Sequence, residues 1–270
     1  MEVIYAILLT AYTPFPCSGG VLDLPVGARP VSLGGAYTAA IGSPEVFFFN
    51  PASLAALTDV GMSFFATNLY QMKELQYAAV SGNVSCTLGN WGWGIKSFGN
   101  NLYRENSAGL GWAFRPANNV YCGLAVKRQE LRIKSYGSES IFLFDLGILY
   151  KIGKTVTMGV VASNLRKLSN SAYQQSVPLT YRSGLSWKAV PDVLVCIDLV
   201  WMEDLIPDYR LGIECQVLEK CWIRCGMEQT PPCFSTGIGL KWKIIKIDYA
   251  VRFHNYLGST HYCSVSFAWR

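Results

Sequence analysis

Histidine is scarce in this sequence, charge is thin, and beyond the extreme N-terminus no apolar run is long enough to cross a bilayer as a helix. His254 and His261 are the only histidines, and the nine cysteines contain no Cys-x-x-Cys spacing, so a metal centre lacks its donors. The net charge of +5 comes with no basic run and no RNA-binding signature, which argues against nucleic acid as a partner. Gly34-Gly35 has no Lys-Ser/Thr after it and no strand–glycine turn–long helix unit around it, so it is not a phosphate loop. Ser259, His261 and Ser264 fall close together near the C-terminus, but no carboxylate is placed to complete a triad. The sequence reads as non-enzymatic, with no cofactor and no metal.

Hydrophobicity is abundant. Apolar residues make up 51% of the chain and aromatic residues 13%, while charged residues reach only 15%, against about a quarter in soluble domains. From Gly61 onward the apolar residues alternate. The clearest runs are Leu110-Trp112-Phe114, Val120-Cys122-Leu124-Val126, Phe142-Phe144-Leu146-Ile148-Tyr150 and Val193-Val195-Ile197-Leu199-Trp201. Leu211 to Val217, Ile245 to Phe253 and Cys263 to Trp269 continue the pattern. Period two with this composition fits either a transmembrane β-barrel or a soluble β-sandwich with a large core. The opposite phase favours the barrel. It holds Gly111, Gly123, Gly147, Gly184, Gly212, Gly226, Gly237 and Gly239 beside Asp145, Arg182, Asp198, Glu214, Arg224, Asp248 and Arg252. A sandwich would place Lys and Glu there in number; glycine with sparse mixed charge suits a crowded lumen.

Connection lengths point the same way. Short links near 87–90, 115–119, 151–154, 189–192, 218–220 and 242–244 alternate with longer ones near 68–74, 99–107, 128–140, 164–177, 202–208, 229–233 and 254–260. Short periplasmic turns and longer outer loops are the asymmetry of bacterial outer-membrane barrels. The expected fold is therefore all-β: a transmembrane antiparallel barrel of about 14 strands, both termini periplasmic, in a Gram-negative-type outer membrane. A turn centred on Glu219 would set Glu214 opposite Arg224 and Gly212 opposite Gly226, giving an inward, structural ion pair. Cys122, Cys215, Cys225 and Cys263 share the apolar phase and read as small hydrophobes. Trp91, Trp93, Trp187, Trp201 and Trp269 read as interface girdles. Arg128, Arg132, Lys134, Arg166 and Lys167 fall in or beside the expected longer loops and are candidates for lipopolysaccharide phosphates, with a solvated loop as the alternative.

The N-terminal part differs from the rest. Residues 1–19 read as a secretory signal or its remnant, although Glu2 stands where a basic region belongs, and Cys17 also invites a lipoprotein reading that Pro14-Phe15-Pro16 fits poorly. Residues 20–57 form a Gly/Ala/Ser-rich segment before the barrel of 58–270. Within it Asn50 is placed as an N-cap with Pro51 at the first helical position. Phe49 and Leu54 are placed as a staple, so a short capped helix is expected to about Leu57.

The pattern G-A-R-x(3)-L-G-G-A-Y followed by F-x-N-P-A-x-L resembles the N-terminal signature of PorV/PorQ proteins, outer-membrane barrels related to the FadL transporters. Gly212-Ile213-Glu214, Ile223 to Gly226, Asp248-Tyr249-Ala250, Leu257-Gly258-x-Thr260-His261 and Ser264 to Phe267 extend the resemblance to the C-terminal third. Arg270 after Trp269 departs from the aromatic ending usual in such barrels. The resemblance implies that Gly34, Gly35, Asn50, Pro51 and Ala52 belong to a hatch in the lumen. It also implies a non-enzymatic role in type IX secretion and surface attachment, with exported proteins or other secretion components as partners beside outer-membrane lipid. The alternative is a FadL-like channel for long-chain fatty acids or other hydrophobic small molecules.

Overall fold

The structure, a computed structural model, describes residues 24–165, 177–203 and 205–269. The signal reading of 1–19, Cys17, Arg166, Lys167 and Arg270 lie outside them. Fourteen antiparallel strands close one barrel, each bonded to its chain neighbours and β14 back to β1. They are β1 (Val60–Asn68), β2 (Gln76–Cys86), β3 (Gly89–Gly99), β4 (Tyr103–Ala117), β5 (Val120–Ile133), β6 (Gly137–Ile152) and β7 (Val156–Leu165). The second half comprises β8 (Thr180–Val190), β9 (Val193–Met202), β10 (Asp208–Leu218), β11 (Cys221–Glu228), β12 (Cys233–Trp242), β13 (Ile245–His254) and β14 (Gly258–Trp269). No helix among the described residues is long and apolar enough to cross a membrane. A tilted membrane strand needs about 9–11 residues, a length that every strand but the eight-residue β11 reaches.

The alternation of each strand sets its two faces. On β9, Ile197 and Leu199 stand outside at 47% and 38% exposure while Cys196, Asp198 and Val200 point into the barrel at 1%. The apolar phase thus meets lipid, and the glycine-and-charge phase is internal. Cys225 and Cys263 share the outer face. Aromatic side chains mark both rims. Trp91, Trp187, Trp242 and Trp269 are exposed near the short-turn end, and Tyr181 stacks on Trp201 at the other, with ring centroids 5.7 Å apart.

One set of connections is uniformly two or three residues long; the other is longer in part, with seven residues at 69–75 and fourteen separating β7 from β8. Three expected long links are corrected. The segment 254–260 contracts to 255–257, because β13 runs to His254 and β14 starts at Gly258. The segment 99–107 contracts to 100–102 and the segment 128–140 to 134–136, because β4, β5 and β6 run past the apolar band into polar sequence. Arg128 and Arg132 are therefore strand residues, and only Lys134 lies in the turn. These three strands, 14 to 16 residues each, stand taller than the remainder of the wall.

Residues 24–59 lie inside the barrel. They form helix α1 (Ala28–Ser32) and two 3-10 turns, Pro44–Phe48 and Pro51–Ala56. The capped helix expected at Asn50 is a 3-10 turn rather than an α-helix, entered from a second such turn built on the Phe47-Phe48 run. Leu33, Tyr37, Val46, Phe47, Phe49 and Leu54 pack into one core with the wall residues Ala113, Ala125 and Cys196.

Candidate functional site: the lumen and its insert

Wall glycines let the insert lie against the sheet. A Cβ on Gly147 would sit 2.1 Å from Asn50 Oδ1, one on Gly123 2.4 Å from the Pro51–Ala52 peptide, and one on Gly226 2.2 Å from Gly34 N. Any side chain at these positions would push the insert off the wall. Gly34 and Gly35 adopt φ of 64° and 77°, the left-handed region, and turn the chain sharply after α1. A Cβ on Gly34 would also meet the backbone oxygen of Met227 at 2.5 Å.

Polar contacts then tie the insert to the wall all round. Asn50 Oδ1 accepts from Ala52 N at 3.0 Å, closing the turn, while its Nδ2 donates to Thr38 O at 2.9 Å and to Ile148 O of β6 at 3.4 Å. Pro51 at the first turn position gives up no needed donor. On β9, Asp198 Oδ2 accepts from both Tyr37 N and Thr38 N at 2.8 Å. Asn90 of β3 donates to Leu54 O and Leu57 O at 2.7 and 2.6 Å. At the β1–β14 closure, Ala28 N donates to Ser264 Oγ at 2.7 Å and Ser63 Oγ donates to Glu45 at 2.6 Å.

The strongest tie is ionic. Glu214 and Arg224 are Cα partners across β10 and β11, and Arg224 Nε donates to Glu214 Oε2 at 2.5 Å. Two guanidiniums share this carboxylate. Arg29 of α1 grips it bidentately, Nε and Nη2 each at 2.8 Å. Arg29 Nη1 also donates to Tyr37 Oη at 2.8 Å and to Ile41 O at 3.1 Å. Burial pushes the Tyr37 phenol up to about 12, with the charge of Arg29 pulling the other way, so the ring stays neutral. Arg224 Nη1 reaches Asp248 of β13 at 2.7 Å. Sequence reasoning found the wall pair and missed Arg29, whose partner lies 185 residues away; its place in the G-A-R segment was the available signal. A second cluster sits nearer the long-link end, where Arg210 bridges Asp208 and Glu228 at 2.7 and 3.0 Å and Arg252 also pairs with Glu228.

Beside the start of the insert the lumen is apolar. Phe65, Tyr77, Phe98 and Tyr262 form an aromatic row, with Phe65–Tyr77 centroids 5.3 Å apart and Phe65 stacked on Tyr262 at 6.1 Å. Leu24 and Val26 pack into this row, and Tyr77 Oη donates to Leu24 O at 3.1 Å.

His261 faces outward and shares a 2.6 Å hydrogen bond with Tyr249 Oη, whereas Ser264 faces the lumen, so the strand separates them. Among the described residues no cluster of three His, Cys, Asp or Glu is placed to hold a metal. Arg128 and Arg132 lie outside the barrel, away from the insert.

No family model matches the chain, and no curated protein matches it. Solved structures do. The toluene transporter TbuX of Ralstonia pickettii superposes with a TM-score of 0.71 at 10% identity, covering 93% of this chain and 100% of that one. The Pseudomonas putida toluene transporter TodX gives 0.67 at 10% identity, covering 93% and 99%. A Pseudomonas aeruginosa FadL homologue gives 0.65 at 10% identity, covering 92% and 99%. Likeness at such identity is one of fold. The chain thus has the fold of the FadL-like barrels.

Proposed function

We propose that this protein is an outer-membrane passage for hydrophobic small molecules, with residues 24–59 as its gate. The observation that carries the reading is the aromatic row inside the barrel, the buried Phe65, Tyr77 and Tyr262 with the half-buried Phe98, against which Leu24 and Val26 of the insert pack. Apolar side chains inside a membrane barrel have no lipid to meet, so they serve either packing or an apolar solute. The shared fold with toluene transporters supports the second use. A solute reaching the row displaces the apolar start of the insert, and the ionic ties farther along set how far the gate yields. The test is saturable uptake of a radiolabelled monoaromatic hydrocarbon and of a long-chain fatty acid into proteoliposomes. Faster entry than into empty liposomes supports the reading; equal rates for both solutes refute it.

A second reading keeps the PorV/PorQ resemblance, in which the barrel receives exported proteins for surface attachment. It is favoured by the unbroken hydrogen-bonded wall and by turns of three residues at 100–102, 134–136 and 255–257, which leave little cover at that rim for capturing a solute. Cross-linking in intact outer membranes that recovers exported proteins or secretion components, with no solute uptake, would select it.

A further inference from the structure

The tall side of the barrel carries an arrangement that folding alone does not explain. On the outer face of β4 and β5, Arg104 stands directly opposite Arg132 as a Cα partner. Like charges directly opposite on one face of a strand pair repel, with Cβ atoms only about 4.5–5.5 Å apart. Both side chains are exposed, and neither makes an ion pair among the described residues. Arg104 has a 3.4 Å contact with Asn101 Oδ1. Arg128 follows on the same face of β5, and Lys134 sits in the adjoining turn. Glu130, between the two β5 arginines, opposes Asn106 and Ser140, so one carboxylate stands against three guanidiniums.

The height of this group matters as much as its charge. Along β5 the outward residues run Val120, Cys122, Leu124, Val126, then Arg128, Glu130 and Arg132. Apolar residues give way to arginine where the hydrocarbon ends, and on β6 Phe142 and Phe144 mark the same boundary. From Arg128 to Arg132 the strand rises about 13 Å, the depth of a headgroup layer rather than of acyl chain.

We propose that Arg104, Arg128 and Arg132 form a binding site for the phosphates of lipid A, the lipopolysaccharide anchor of the outer leaflet. A phosphate between Arg104 and Arg132 turns a repulsive pair into a bidentate clamp, since guanidinium matches phosphate geometry. Arg128, lower on the strand, meets the second phosphate of the same headgroup, whose acyl chains lie along Leu124, Val126 and Phe142. The site takes the barrel's placement in an outer membrane with its longer links outside. It holds whichever solute crosses the lumen.

The test uses the full chain in detergent micelles, with folding of each variant verified by heat-modifiable gel mobility. The probes are bis-phosphorylated lipid A, its dephosphorylated form, phosphatidylglycerol and inorganic phosphate. Native mass spectrometry is expected to show lipid A retained at least tenfold better than the dephosphorylated form. Arg132→Gln and, from the other side of the pair, Arg104→Gln should each weaken retention about fivefold or more. Lys188→Gln, near the short-turn end, should leave it unchanged. Relief of repulsion should also keep Arg132→Gln and Arg104→Gln as heat-stable as the parent without lipid, while lipid A raises the melting temperature of the parent more than theirs. Equal retention of phosphatidylglycerol, or complete displacement by millimolar inorganic phosphate, would overturn the lipid A assignment. A drop in lipid-free stability in both variants would show the arginines to be structural.

Discussion

Replacing Glu214 by glutamine removes the carboxylate that two buried guanidiniums share. Arg224 keeps Asp248, but Arg29 is left with only Tyr37 Oη, Ile41 O and the amide oxygen of the new side chain. Breaking a buried pair from one side costs about 3–5 kcal/mol, because the remaining charge stays desolvated. Arg29→Met is gentler. Glu214 retains Arg224, so the loss is that of charge-assisted hydrogen bonds, about 1.5–3 kcal/mol. Because Arg29 belongs to the insert and Arg224 to the wall, the penalty falls on docking of the insert rather than on barrel closure. Hydrogen exchange separates the two. In Glu214→Gln the amides of the insert should exchange roughly a hundred- to several-thousand-fold faster while the β1–β14 ladders keep their protection. Arg29→Met should fall between that variant and the parent. Uniform loss of protection around the barrel, or a larger effect from Arg29→Met, would refute the reasoning.

Other outcomes follow from the same contacts. Gly147→Ala and Gly226→Ala place a Cβ 2.1 and 2.2 Å from insert atoms and should destabilise docking by about 1–3 kcal/mol, measured as faster exchange in the insert. Asn50→Asp, harmless at most N-caps, should melt below Asn50→Ala, since a carboxylate keeps the acceptor for Ala52 N but faces Thr38 O and Ile148 O without a donor. Ile197→Lys should lower unfolding stability in lipid vesicles by about 2–4 kcal/mol if its depth is near the bilayer midplane.

What could be read from the chain follows from the length scale of each interaction. Alternation is local, so Ile197, Leu199 and Trp201 declare an outer face without help from distant residues. The β10–β11 register was legible because a hairpin counts outward from its turn. The actual turn is two residues, Glu219 and Lys220, and the ladder shifts between Gln216 and Leu218, which still sets Glu214 opposite Arg224. Legibility failed where both faces of a strand turn polar. Glu105 and Gln129 point inward while Arg104, Arg128 and Arg132 point outward, so these stretches carry no hydrophobic period and read as loops. The contacts of Arg29, Asp198 and Asn50 join residues far apart in the chain, and only closure of the barrel brings them together.

Spin labels on single-cysteine variants in lipid vesicles measure the central claim most directly, by comparing collision with oxygen and with a water-soluble nickel chelate. Labels at Ile197, Leu199 and Ile213 should collide with oxygen and be shielded from nickel, whereas labels at Ala40 and Ala52 of the insert should be shielded from both. Free nickel access to the insert, or oxygen-rich contact at positions 196 and 198 in place of 197 and 199, would contradict it.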